Sequence, residues 1–123
     1  MNSPKIPFVF LLIFAFASPA ASQVLESDSL ALVSLYQATE GENWKEPWEL
    51  FRNVKKWKGV TLDKAGKRVI ALKLEKNNLK GALPASIGEL SALQILNLSH
   101  NKWLGKIPEE IGNLKELTTL NLY

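Results

Sequence analysis

Residues 69–92 read VIALKLEKNNLKGALPASIGELSA, residues 93–116 read LQILNLSHNKWLGKIPEEIGNLKE, and residues 117–123 read LTTLNLY. The first two lines are one pattern at a spacing of 24 residues. Asn77 recurs as Asn101, Gly81 as Gly105, Pro84 as Pro108 and Gly88 as Gly112. Leu72 and Leu74 recur as Leu96 and Leu98, and again as Leu120 and Leu122. Leu90 recurs as Leu114, and Leu93 as Leu117. A fixed period of this size means stacked structural units, each burying its apolar face against the next.

The shared pattern is L-x-x-L-x-L-x-x-N-x-L-x-G-x-[IL]-P-x-x-I-G-x-L, a leucine-rich repeat. Leu79 and Trp103 hold the L after the Asn, and Leu83 and Ile107 the position before the Pro. L-x-L predicts a short strand with alternate residues turned inward. The Asn side chain is expected to turn in and pair with backbone groups freed where the strand bends, because a buried amide must be satisfied. Gly permits the tight return, and Pro ends a short extended piece. Ile87, Ile111, Leu90 and Leu114 are expected to close the core from the convex side.

The G-x-[IL]-P-x-x-I-G-x-L half is more specific than the leucines. It resembles the plant-type repeats of receptor-kinase ectodomains and of secreted polygalacturonase-inhibitor-like proteins. The resemblance implies an α/β solenoid with an N-terminal cap. We divide the chain into a signal peptide at 1–22, a cap at 23–68, and repeats at 69–123. The repeats comprise two complete units and a partial third, so the solenoid is expected to be truncated at its C-terminus. Its last strand, with Leu120 and Leu122, would then present an open end able to self-associate.

The first 22 residues are of another kind. Lys5 is followed by an unbroken apolar run, Phe8 to Ala17, and then by Ser18, Pro19, Ala20, Ala21 and Ser22. Ala20 and Ser22 suit the −3 and −1 sites of signal peptidase, which predicts a secretory signal cleaved after Ser22. A membrane-spanning helix needs ~20 apolar residues, and the run is shorter. No second run of spanning length follows. The expected location is extracellular, or the cell surface if the chain is part of a longer receptor.

Lys5 is the only charge among those residues, so its removal takes the net charge from +3 to +2. Charges are mixed along the rest, a balance that does not predict nucleic-acid binding. Lys55, Lys56 and Lys58, interrupted by Trp57, read as a solvated loop face. The chain has no Cys. The plant-type cap usually carries C-x-W-x-G-V-x-C. Here Trp57, Gly59 and Val60 keep the centre, while Lys55 and Leu62 occupy both cysteine positions. The cap must then hold by packing, without the ~2–4 kcal/mol a disulfide often adds. In this it resembles the cysteine-free caps of some microbial and algal relatives.

Within the cap, Ser27 or Asp28 is expected to cap a helix over Ser29 to about Thr39, with Leu32, Leu35 and Tyr36 on one face. Trp44, Trp48, Phe51 and Trp57 are expected to plug the open end of the repeat core. Trp57–Leu62 and Arg68–Leu74 alternate as two strands around the turn Asp63–Lys67.

Catalytic groupings are missing: one His, no Cys, no acid pair of convincing spacing, no phosphate-cradling Gly-rich loop, and no metal-ligand spacing. No enzyme, cofactor or metal is expected. What remains is the exposed ladder of strand positions. Stacking aligns Ala71 with Ile95 and Thr119, Lys73 with Asn97 and Asn121, Glu75 with Ser99 and Tyr123, and Lys76 with His100. The resemblance implies that this face binds a protein or peptide. Carried over position by position, the candidate ligand-binding residues are Lys73, Glu75, Lys76, Ile95, Asn97, Ser99, His100, Thr119, Asn121 and Tyr123. Asn97-Leu98-Ser99 is also the only N-x-[ST] sequon, so Asn97 is a candidate glycosylation site. The expected function is extracellular recognition or signalling. The alternatives are inhibition of a secreted wall-degrading hydrolase, or an extracellular structural role.

Overall fold

The computed structural model describes residues 23–123. The expected signal peptide, 1–22, lies outside the described residues. The chain order is α1 (Glu26–Ala38), β1 (Val60–Leu62), β2 (Val69–Lys73), β3 (Lys80–Gly81), β4 (Ile95–Asn97), β5 (Lys102–Trp103) and β6 (Thr119–Asn121). Short 3-10 turns at Ala85–Glu89 and Glu109–Asn113 form the convex side of the two complete repeats.

The L-x-L strands stack as expected. β2, β4 and β6 pair in parallel, one per repeat, and β1 closes the cap side antiparallel to β2. The register is that of the 24-residue offset: Leu72 faces Leu96, and Leu96 faces Leu120. Parallel strands need a crossover between them. Each crossover here runs through the Gly and Pro half of the repeat. That half contributes a second two-stranded parallel sheet, β3 with β5, which the sequence pattern did not announce.

Leu72, Leu79, Ile87, Leu90, Leu93, Leu96 and Leu98 are fully buried between the two sheets and the convex turns. Leu114 is buried, whereas Ile111 is only partly so and packs on the core's edge. Leu98→Ala is therefore expected to cost about 3 kcal/mol, the loss typical of a buried Leu truncation. Asn97→Ala, one residue earlier and half-exposed, is expected to cost less than about 1 kcal/mol. Urea unfolding of both variants measures the difference, and equal losses would mean a strand register shifted by one residue.

The recurring Asn is the fastener of each repeat. The Asn101 amide nitrogen donates to the carbonyls of Leu74, Leu98 and Ser99, at 3.0, 2.9 and 3.1 Å. Its oxygen accepts from the backbone N–H of Asn77 and of Leu79, both at 3.0 Å. One side chain thus satisfies five backbone groups in two consecutive repeats. Asn77 has the same role in the preceding unit, where the cap stands in place of an earlier repeat: its oxygen accepts from the N–H of Glu46 at 2.8 Å.

The cap differs from expectation in two places. The helix starts earlier, at Glu26, behind Leu25, whose side chain caps nothing. Asp28 is not a cap: it lies inside the first turn and is fully buried. Its carboxylate accepts from the Arg68 guanidinium at 3.1 Å and from the Val69 N–H at 2.9 Å. Arg68 in turn donates to the Ser91 hydroxyl at 2.8 Å. One buried acid therefore joins α1 to the start of β2 and to the first repeat's far turn. Leu32, Leu35 and Tyr36 form the buried helix face as expected.

The aromatic plug contains Trp44, Trp48 and Trp57, not Phe51. Trp48 stacks between Tyr36 and Trp57 with ring centroids at 5.8 and 4.9 Å, and Trp44 meets both Tyr36 and Trp48 edge-on. Each indole N–H has a carbonyl partner: Trp44 that of Thr39, Trp48 that of Lys58, and Trp57 that of Glu49. An indole sits inside most readily when its N–H is satisfied in this way. Phe51 is 83 % exposed, and the Arg52 guanidinium lies over its ring.

Just before β1, the backbone is pressed onto the end of β2. Gly59 sits at φ +88°, and a Cβ there would meet the Lys73 carbonyl oxygen at 2.3 Å. Only glycine lets the backbones come that close. The turn is fixed by Asp63, whose carboxylate accepts from the N–H of Lys67 and of Arg68. The Lys67 bond, first among these contacts, holds the Asp63 carboxyl below its usual range.

Candidate functional site

The parallel ladder leaves one set of side chains on the outer face. Lys73, Asn97 and Asn121 form one row, at mutually paired strand positions; Ala71, Ile95 and Thr119 form the other. Ala71 is buried, Ile95 and Asn97 are half-buried, and Lys73, Thr119 and Asn121 are exposed. The alignment of positions is that expected from the offset, and the face is mixed polar and apolar, built on strands rather than on loops.

Past the strands the alternation stops, and here the expectations divide. Glu75 and Tyr123 are exposed, but Ser99, at the equivalent position between them, is buried. All three lie two residues past their strands, but Ser99 is the small side chain of the middle repeat, with a neighbouring repeat on each side. Its N–H donates to the Asn97 side-chain oxygen at 3.2 Å, and its carbonyl accepts from Lys76 and from Asn101. It supports the face from below. The same local bond recurs in the next repeat, from the Tyr123 N–H to the Asn121 oxygen at 3.1 Å.

Lys76 and His100 occupy equivalent left-handed backbone positions, at φ 54° and 57°. Such values are uncommon for residues other than Gly and turn the chain sharply. Both residues are exposed and leave the strand rows for the adjoining rim. His100 meets the Tyr123 ring edge-on, with centroids 5.9 Å apart. The structure thus brings Lys73, Ile95, Asn97, Thr119 and Asn121 onto one face. Glu75 and Tyr123 follow at its end, and Lys76 and His100 stand at its rim.

A separate cleft of about 220 Å³ is lined by Leu83, Trp103, Leu104, Lys106, Ile107 and Leu122. It is mostly apolar and adjoins the last repeat, on the kind of surface against which a neighbouring repeat packs in a solenoid. Among the described residues, no group of three or more His, Cys, Asp or Glu side chains gathers as a metal site. No described helix is long and apolar enough to cross a membrane.

Comparison with known proteins agrees with this architecture. A family model described as "Leucine rich repeat" matches residues 67–123. A probable inactive receptor kinase of Arabidopsis thaliana is 37% identical over 95 residues, which is 74% of this chain and 14% of that protein. The chain therefore spans only a small fraction of such relatives. Among solved structures, the BIR2 ectodomain of Arabidopsis thaliana superposes with a TM-score of 0.69 at 31% identity, covering 80% of this chain and 55% of that one. A chain of the PEPR1–AtPEP1 crystal structure superposes with a TM-score of 0.63 at 33% identity, covering 76% and 14%. With its stacked L-x-L ladder and Asn fasteners, the chain carries leucine-rich repeats over residues 67–123 and is similar to plant receptor ectodomains.

Proposed function

We propose that this chain is an extracellular recognition module that binds a protein or peptide across the outer face of β2, β4 and β6, and has no catalytic role. The observation that carries the reading is the pair of outward rows, Lys73–Asn97–Asn121 and Ala71–Ile95–Thr119, held in register by backbone pairing. A rigid row of mixed polar and apolar side chains presents little of its own conformational entropy to be lost on binding. One of the similar solved chains comes from the crystal structure of PEPR1–AtPEP1, a pair of components, which supports a recognition role.

Secretion, by removal of residues 1–22, is included in this proposal. So is the use of the chain within, or alongside, a longer receptor. Asn97 heads the sequon Asn97-Leu98-Ser99 and sits in the middle of a row. A glycan there would decide which region of the face a ligand can reach. The mass of the secreted chain before and after enzymatic deglycosylation reads its presence directly.

The test is selection of binders from a random displayed-peptide library on the immobilised chain. Ile95→Arg places a long charged side chain in the central row without touching the core. It is expected to weaken selected binders by about tenfold, corresponding to about 1.4 kcal/mol. Lys115→Glu, exposed outside the ladder, is expected to leave them unchanged. Binders that ignore Ile95→Arg, or that respond more to Lys115→Glu, would remove the proposed face.

A further inference from the structure

Beside the strand face lies a groove of about 580 Å³ lined by Lys45, Lys76, Asn78, His100, Asn101 and Lys102. Its composition is one-sided: three ammonium groups, an imidazole, two amides and no carboxylate. Lys45 comes from the cap, Lys76 from the bend after β2, and Lys102 from β5. Residues far apart in sequence have therefore been gathered around one depression.

The three lysines are exposed, and among the described residues none of them forms an ion pair. The chain does pair other exposed cations. Arg52 is bonded to Glu49, and Lys58 lies 3.2 Å from Glu46. Glu46 directly follows Lys45 in sequence, yet its carboxylate is engaged with Lys58. Glu75, beside Lys76, is exposed and does not line the groove. Gathering like charges without a counter-charge costs free energy in the unliganded protein, and an incoming anion recovers it.

The walls are also fixed. The Lys45 N–H donates to the Asn77 carbonyl at 3.0 Å, that of Lys76 to Ser99 at 3.0 Å, and that of Lys102 to Leu79 at 2.7 Å. The Asn78 amide donates to the Asn43 carbonyl at 2.8 Å, joining cap to repeat across the depression. Three of the lining residues, Lys76, Asn78 and His100, hold left-handed backbone. Strain of this kind persists only where the surroundings enforce it. The lysine stems thus leave a backbone that does not need to rearrange on binding.

We propose that this groove takes the side-chain carboxylates of an acidic peptide segment whose remainder lies on the neighbouring strand face. The proposal rests on the recognition reading above and adds to it the charge of the ligand and a second point of attachment. A peptide fits because Lys76 and His100 belong both to the rim of the strand face and to the groove. One extended segment can reach the two together.

The probe is a fluorescein-labelled decapeptide of alternating Glu and Ser, blocked at both ends, titrated into the 123-residue chain with anisotropy as the readout. Binding should weaken as NaCl is raised, since exposed charge pairs are screened. Lys76→Glu with Lys102→Glu is expected to raise Kd by about tenfold. The pair Lys76→Gln and Lys102→Gln should raise it less. Lys55→Glu with Lys56→Glu, outside the groove, should leave Kd within about twofold. Circular dichroism checks that these surface variants remain folded.

Equal Kd for the groove variant and the unaltered chain would overturn the proposal. So would a Lys55/Lys56 variant that weakens binding as much, or a blocked oligogalacturonate of equal charge that binds more tightly than the peptide. Library binders that respond to Ile95→Arg but not to the groove variants would sink the groove and leave the recognition reading standing. Binders that respond to neither would sink both.

Discussion

Asn101→Ala is expected to destabilise the chain by about 2 kcal/mol, because a polar group left unpaired inside the protein costs ~1–3 kcal/mol and this part-buried side chain serves several. The N–H groups of Asn77 and Leu79 both donate to its oxygen, and the Leu74, Leu98 and Ser99 carbonyls accept from its nitrogen. The Leu98 carbonyl keeps the Trp103 indole at 2.8 Å and the Ser99 carbonyl keeps the Lys76 N–H at 3.0 Å, so their losses are the smallest. Asn101→Asp keeps the acceptor but sets a carboxylate oxygen against the three carbonyls, so its loss should be at least that of Ala. Urea unfolding of the three proteins gives the values. A loss below about 1 kcal/mol for Ala would mean that water replaces the amide without cost, and that the fastener is dispensable.

Asp28→Ala is expected to cost about 2 kcal/mol, the range for a buried N–H left unpaired, whereas Arg68→Ala, which leaves the buried carboxylate without its cation, is expected to cost about 4 kcal/mol. Asp28 is fully buried while the Arg68 side chain is 28% exposed. The two truncations should therefore differ in kind. Without Asp28, Arg68 can turn to water, and the orphaned group is the Val69 N–H. Without Arg68, the carboxylate stays buried with the N–H as its remaining partner. The double variant should lose less than the sum of the singles, because the two groups act as one contact. Additive losses would mean that the pair is not coupled and that α1 is held by its apolar face alone.

Much of this architecture was legible in the sequence because the repeat is a redundant message. The 24-residue offset decides which strand positions pair, so it alone places Lys73, Asn97 and Asn121 in one row. The Asn letter implied a buried amide with backbone partners, and Asn101 has them. The cap does not repeat, and there the reading was weaker. Asp28 resembled a helix cap because Ser and Asp before an apolar run commonly are caps. Its partner, Arg68, lies 40 residues away, and no local pattern relates the two. Phe51 resembled its aromatic neighbours, but hydrophobicity alone does not say which side of a loop faces in.

Ser99 shows a different limit. Repeat alignment gives position along the solenoid, but not burial. Glu75, Ser99 and Tyr123 share the 24-residue offset, yet only Ser99, small and in the middle repeat, is buried. The cationic groove was half visible. Lys76 and His100 stood together by the 24-residue offset, and the same offset pairs Asn78 with Lys102. Lys45 comes from the cap, and only the fold brings it near.

If the outer face of β2, β4 and β6 is where this chain meets a partner, a backbone-amide NMR titration with a peptide selected on the chain will show it. The largest shifts should fall on residues 71–76, 95–100 and 119–123, with little change at the convex turns Ala85–Glu89 and Glu109–Asn113. Shifts concentrated on those convex turns, with the strand rows unmoved, would contradict it.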